Sequence, residues 1–210
     1  MTEAMTMRER IAQGMLFTDY CEGLPDDRSR AKGYMKAFNS TGPEDLDQRM
    51  AIMNQMLGKS DGAWIEPPFY FAYGTNISLG SRTYINMCCS FIDDGAITIG
   101  NNVMFGPNVT IATVGHPIAP NLREYMYTAP VAIEDNVWIG AGAIICPGVT
   151  VGENSVIGAG SVVISDVPAN VVAVGNPCRV LREINEQDQQ FYYRDREITQ
   201  DDLAAEAALR

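Results

Sequence analysis

Histidine is almost missing from this chain of 210 residues: His116 is the only one. A single chain therefore cannot build a zinc site from three imidazoles, and no metal is expected. Basic residues are also scarce. Fifteen Lys and Arg stand against 26 Asp and Glu, a net charge of −11. Such a chain repels nucleic-acid phosphates, and no Lys/Arg stripe offsets this, so nucleic acid is not an expected partner. No apolar run reaches the roughly 18 residues of a membrane span, so no membrane is expected either. Residues Met1 to Gly14 lack the apolar core of a secretory signal. The five cysteines (Cys21, Cys88, Cys89, Cys146, Cys178) are odd in number and form no CxxC pair. They read as free thiols in a reducing compartment, which points to the cytoplasm. No GxSxG nucleophile motif is present.

What remains is globular, with 46% apolar and 20% charged residues. Residues 1–60 read as a helical segment. Ile11, Met15, Leu16 and Phe17 have helix-like spacing within Arg8 to Cys21. A second helix, capped by Asp27 or Ser29, runs towards Phe38. A third carries Leu46, Met50, Met53 and Leu57 and ends at Gly58.

Further on, aliphatic residues recur every six positions. Ile133, Ile139, Ile145, Val151, Ile157 and Val163 are all β-branched. Upstream the phase runs through Ile99, Phe105 and Ile111. Earlier still it runs through Tyr73, Leu79, Ile85, Phe91 and Ile97, with a slip of two residues before Ile99. A period of six fits a solenoid whose flat sides are each one short strand and a turn. The spacing predicts a parallel β-helix of about four coils over residues 61–178, by dividing the repeat span into coils of three hexads. A C-terminal extension follows over 179–210, with a helix at Asp201 to Leu209.

Between Ile111 and Ile133 the phase holds only if about 16 residues are inserted. The inserted loop, 113–130, carries the lone histidine between Gly115 and Pro117. A loop thrown off a solenoid corner can reach over a groove, where a buried wall residue cannot. Removing a proton near neutral pH is a task that suits imidazole, so His116 is a candidate general base. A non-catalytic solenoid that only binds a partner is the rival reading.

The hexads resemble those of the hexapeptide-repeat acyltransferases. More local motifs are similar to the maltose/galactoside O-acetyltransferase group within that superfamily. They are Arg8-Glu9-Arg10-Ile11, Leu16-Phe17-Thr18-Asp19, Cys21-Glu22-Gly23-Leu24-Pro25, Trp64-Ile65-Glu66-Pro67-Pro68 and Tyr73-Gly74-Thr75-Asn76-Ile77. Asp93-Asp94, Pro107-Asn108-Val109-Thr110, Gly115-His116-Pro117, Asn136-Val137-Trp138-Ile139-Gly140 and Pro177-Cys178-Arg179-Val180 continue the likeness. It spans residues 7 to 197.

The resemblance implies a left-handed parallel β-helix, mainly β, with an N-terminal helical segment and a C-terminal tail. It implies an acetyl-CoA-dependent transfer to the 6-hydroxyl of a galactoside or related sugar, with His116 as general base. Maltose, glucose, serine or an antibiotic are the alternative acceptors. The implied acceptor-binding residues are Asp19, Arg28, Tyr84, Asn86, Asp94 and Met126. The implied coenzyme A contacts are Trp138, Ala141, Ala159, Arg179 and Arg182, with an amide near Ala141 facing the oxyanion. A homotrimer with active sites between subunits is implied as well. The chain departs from the group in three places. Ala72 stands where the galactoside enzymes usually have Ser, the loop after His116 is about two residues shorter, and Ser165 replaces a frequent Lys.

Overall fold

The computed structural model describes residues 4–207. The helical front is shorter than the sequence pattern suggests. Helix α1 spans Met7–Ala12, opened by a capping box between Thr6 and Glu9. It does not continue to Cys21, because Gly14 turns the chain at φ +65°. Helix α2 spans Leu24–Asn39, and its N-cap is Gly23, with neither Asp27 nor Ser29 in that role. Pro25 fits the first turn, where its missing N–H costs nothing. Asp27 instead pairs with Arg8 and, at 2.8 Å, with Arg30. Helix α3 spans Leu46–Met56. Arg49, 6% exposed, ties this end of the molecule together: its Nε donates to Thr41 Oγ1 at 3.1 Å and its Nη2 to the Gly42 carbonyl at 2.9 Å.

From Lys59 the chain winds into a three-faced prism of parallel strands, the left-handed β-helix that the resemblance implied. The first face stacks Lys59–Ser60, Ile77–Leu79, Ile97–Ile99, Val131–Ile133 and Thr150–Val151. The second stacks Trp64–Ile65, Tyr84–Ile85, Met104–Phe105, Trp138–Ile139, Val156–Ile157 and Val171–Val174. The third stacks Phe69–Phe71, Cys89–Ile92, Thr110–Ala112, Ile144–Ile145 and Val162–Val163. Five strands on the first and third faces make about five coils, one more than the hexads suggest. The extra coil, starting at Lys59, carries its own inward residues, Ile65 and Phe71, outside the hexad phase.

The six β-branched hexad residues from Ile133 to Val163 are at most 1% exposed and fill the prism axis. Burying each such side chain is worth about 1.5–3 kcal/mol. Tyr73 is not one of this inward row; Phe71 takes that place, paired with Phe91. The two-residue slip lies at the third-to-first corner of the early coils. There the first-face strands carry two inward residues each, Ile77 with Leu79 and Ile97 with Ile99, and the corner before the second of them holds Asp93-Asp94-Gly95. At the first-to-second corner Asn102, Asn136, Asn154 and Asn170 all have φ between +55° and +61°. Their amides form a ladder, each donating to the next at 3.1, 2.9 and 2.8 Å. Asparagine tolerates this left-handed conformation better than other non-glycine residues.

The prism ends with a reversal. Arg179–Glu183 pairs antiparallel with Val171–Val174. Beyond it come a short helical turn, Gln187–Gln190, a hairpin of Phe191–Tyr193 with Arg196–Glu197, and the helix Gln200–Ala207. The last of these overlaps the helix expected from Asp201, whose residues after 207 lie outside the described part. No helix among the described residues is long and apolar enough to cross a membrane.

Candidate active site

The inserted loop folds back as a small hairpin, with Val114–Gly115 antiparallel to Tyr127–Thr128. His116 stands at its mouth and is exposed. Its Nδ1 lies 2.8 Å from the Arg123 carbonyl oxygen and 3.0 Å from that of Tyr125. A carbonyl only accepts, so Nδ1 carries the proton. Nε2 is then the basic nitrogen, and it meets no donor among the described residues. The tautomer that a general base needs is thus set by two main-chain groups, without a carboxylate.

Asp94 belongs to the same corner of the prism. Only 9% of it is exposed, and no side chain among the described residues donates to its carboxylate. Burial pushes its pKa up, and the nearby Asp19 carboxylate adds to this, while Arg28 and His116 pull it back down. Arg28 reaches the site from α2. Its Nη1 lies 2.5 Å from the Asp19 carboxylate and donates to Tyr73 Oη at 3.0 Å, while Nη2 donates to the Asp19 carbonyl at 3.1 Å. Met126 exchanges main-chain hydrogen bonds with Phe17, which anchors the loop to the segment after α1. A cavity of ≈ 380 Å³ opens beside Asp94, walled by Tyr73, Asn76, Ile11 and Leu24 among others; His116 is not in its wall. The structure therefore brings His116, Asp94, Asp19, Arg28 and Met126 together at the third-to-first edge.

The other residues singled out in the sequence lie elsewhere. Tyr84 and Trp138 project from the second face, in one outward column with Trp64 and Met104. Met104 and Trp138 are 53% and 51% exposed. Asn86, Ala141 and Ala159 stand at the second-to-third corner. Asn86 Oδ1 accepts from the Met87 N–H at 2.8 Å, and its Nδ2 donates to nothing among the described residues. The Ala141 and Ala159 N–H groups likewise meet no acceptor there, whereas their neighbours Gly140 and Gly142 donate to Ile157 and Pro107. Arg179 and Arg182 lie on the antiparallel strand at the end of the second face. Arg179 donates to the Cys178 carbonyl at 2.7 Å, and Arg182 pairs with Asp188. The two groups thus occupy different edges of one prism.

Sequence reasoning overlooked three contributors. Tyr73, placed in the inward row by its spacing, instead offers its hydroxyl to Arg28. Asp93 is fully buried and accepts from the Ala72, Tyr73 and Asn76 N–H groups at 2.9, 2.8 and 3.3 Å. Its adjacency to Asp94 was a signal, but it was equally that of a simple turn. The carbonyls that orient His116 leave no signal, since every residue carries one.

Residues 10–62 match the maltose acetyltransferase hexapeptide capping motif, and residues 130–165 match the bacterial transferase hexapeptide (six repeats). The galactoside O-acetyltransferase of Escherichia coli (strain K12) is 49% identical over 197 residues, covering 92% of this chain and 97% of that protein. A solved galactoside acetyltransferase in complex with coenzyme A superposes with a TM-score of 0.90 at 48% identity, covering 93% of this chain and all of the other. The maltose O-acetyltransferase of Clostridium difficile 630 gives a TM-score of 0.84 at 44% identity, covering 88% of this chain and all of the other.

Proposed function

The chain belongs to the hexapeptide-repeat acetyltransferase family that includes the galactoside O-acetyltransferases, and from that premise we propose that His116 drives transfer of an acetyl group from acetyl-CoA to the 6-hydroxyl of a galactoside or related sugar. The enzyme is an acyltransferase that uses acetyl-CoA and acylates oxygen. The observation that carries the proposed step is the commitment of His116 Nδ1 to two carbonyls, which leaves Nε2 free to accept a proton.

His116 Nε2 removes the proton as the acceptor hydroxyl attacks the thioester carbonyl carbon. The Ala141 N–H, which meets no acceptor among the described residues, donates to the oxyanion that forms. As the intermediate collapses, the C–S bond breaks and the imidazolium returns its proton to the departing thiolate. Asp94 accepts from a sugar hydroxyl, and Asn86 Nδ2 donates to one. Asp19, Arg28, Tyr84 and Met126 complete the acceptor site. Trp138, Ala141 and Ala159 line the pantetheine arm, and Arg179 and Arg182 meet the nucleotide phosphates.

The separation of the two residue groups supports a homotrimer. The edge bearing His116 and Asp94 in one copy would meet the edge bearing Asn86 and Ala141 in the next. The exposed column of Tyr84, Met104 and Trp138 gives such a contact its apolar surface. The free thiols of the described residues and the use of acetyl-CoA support a cytoplasmic enzyme.

The test is thiol release from acetyl-CoA with a thiogalactoside, a β-galactoside, maltose, glucose, serine and chloramphenicol as acceptors. A galactoside should be the best acceptor, and His116→Ala should lower kcat at least about 10²-fold. A mutant within twofold of wild type removes His116 from the mechanism. Release with serine or chloramphenicol alone overturns the sugar assignment.

A further inference from the structure

The C-terminal extension reaches back to Arg182 through Asp188. Arg182 Nη1 donates to Asp188 Oδ2 and Nη2 donates to Asp188 Oδ1, both at 2.7 Å. This is an end-on pair, made by the two terminal nitrogens. Nη1 also donates to the Glu183 carbonyl at 3.0 Å, so both of its hydrogens are used. The Nε–H and the second Nη2–H donate to nothing among the described residues. These two lie on the same edge of the guanidinium plane, and that edge matches the spacing of two phosphate oxygens.

Asp188 is itself held. Its Oδ2 accepts from the Asn185 N–H at 2.9 Å, and the Asn185 side chain accepts from the Gln187 N–H at 2.9 Å. The turn Asn185 to Asp188 is thus a closed hydrogen-bonded unit, anchored directly after the last strand of the prism. It borders a cavity of ≈ 430 Å³ whose wall includes Arg182, Phe191, Tyr192, Tyr193 and Arg194.

We propose that Asp188 is a positioning residue for coenzyme recognition: it fixes the Arg182 guanidinium by its end and leaves the Nε/Nη2 edge for a nucleotide phosphate. This rests on the assignment of Arg182 to the nucleotide phosphates made above. Two effects of Asp188 oppose one another. Its charge repels an incoming phosphate, while its grip orders a side chain with several rotatable bonds. Side chains of the pair are 45% and 32% exposed, so solvent and salt screen the repulsion. The pair itself is screened too, but its grip rests on short hydrogen bonds, two to Arg182 at 2.7 Å and one from the Asn185 N–H at 2.9 Å, and in this proposal the ordering outweighs the repulsion.

The test compares KM for acetyl-CoA and for acetylpantetheine, which carries no nucleotide, in four forms of the full-length enzyme: wild type, Asp188→Asn, Asp188→Glu and Arg182→Gln. Asp188→Asn should raise KM for acetyl-CoA about three- to tenfold with kcat unchanged, the range expected for freeing one flexible side chain. It should leave acetylpantetheine unaffected, and Asp188→Glu should recover part of the loss. An unchanged or lowered KM for acetyl-CoA in Asp188→Asn, beside a raised one in Arg182→Gln, overturns the proposal while the Arg182 assignment stands. An equal rise for both thioesters also overturns it, because a general loss of structure would do the same. If Arg182→Gln changes neither KM, the assignment of Arg182 itself fails.

Discussion

Phe17 and Met126 exchange both main-chain hydrogen bonds, each 2.9 Å from N to O. This one rung fastens the inserted loop to the segment after α1, and the Thr128 hydroxyl adds a bond to the Ile11 carbonyl at 3.0 Å. The carbonyl of Tyr125, next to Met126, is one of the two that orient His116. The helical front therefore does more than close the end of the prism; it fixes the loop that carries the proposed base.

Phe17→Ala should accordingly impair both stability and activity. The ring is 1% exposed, and truncating such a buried Phe costs about 3–5 kcal/mol. Urea unfolding measures that loss. The kcat at saturating substrate should fall as well, because the loop loses the packing beneath its anchor. Unchanged kcat in a folded Phe17→Ala would separate the anchor from the chemistry.

Mixed oligomers test whether the site lies between copies. His116→Ala and Asn86→Ala should each be nearly inactive alone. Unfolded together in equal amounts and refolded, they should regain about a quarter of wild-type activity, since a site drawing one residue from each of two neighbours is intact in that fraction of random pairings. No recovery would place both residues in one subunit's site.

Asp93 gives a pH signature. Burial raises its pKa from 3.8 to about 6, against the pull of the Tyr73 and Ala72 N–H groups. The folded state therefore holds this proton over a range where the unfolded chain has lost it. The contribution of Asp93 falls as pH rises from about 4 to about 6, by roughly 3 kcal/mol, and stays low above that. Asp93→Asn should lack this loss, so its stability relative to wild type should improve between pH 4 and pH 7. Parallel urea midpoints for the two proteins across that window would refute the assignment.

Two glycine substitutions should have opposite signs. A Cβ on Gly140 would sit 2.5 Å from Ala159 N and 2.8 Å from the Ile157 carbonyl oxygen, backbone of the next coil. Gly140→Ala should cost about 1–3 kcal/mol through overpacking. Gly33, inside α2, has nothing within 4 Å of its Cβ direction, and Gly33→Ala should add about 0.5–1 kcal/mol. Thermal unfolding of the two variants measures both.

The solenoid was legible because its signal is repetitive: Ile133 to Val163 repeat one environment, and burial follows that row residue by residue. The coil from Lys59 escaped because Ile65 and Phe71 are off the hexad phase. The front end was harder. Ile11 and Phe17 share helical spacing, yet Gly14 ends the helix and sends Phe17 to pair with the loop, a long-range partner that periodicity does not encode. Within the site, His116 stood out by rarity and Asp94 by resemblance. The role of Tyr73 was hidden because an aromatic at a hexad position reads as core. The hydrogen bonds from Nδ1 were hidden for a different reason, since their acceptors are main-chain atoms.

The antiparallel strand Arg179–Glu183 has a consequence for the molecule's size. Parallel coils present at their end the same open hydrogen-bonding rim on which the next coil was laid, an invitation to indefinite growth by stacking whole molecules. On the second face, reversing direction at the rim removes the parallel template, because an incoming coil would face a strand running the wrong way. All five residues of that strand are exposed, and two arginines and a glutamate stud it. On that face the strand is a terminator: it ends the parallel repeat where another coil would otherwise be laid.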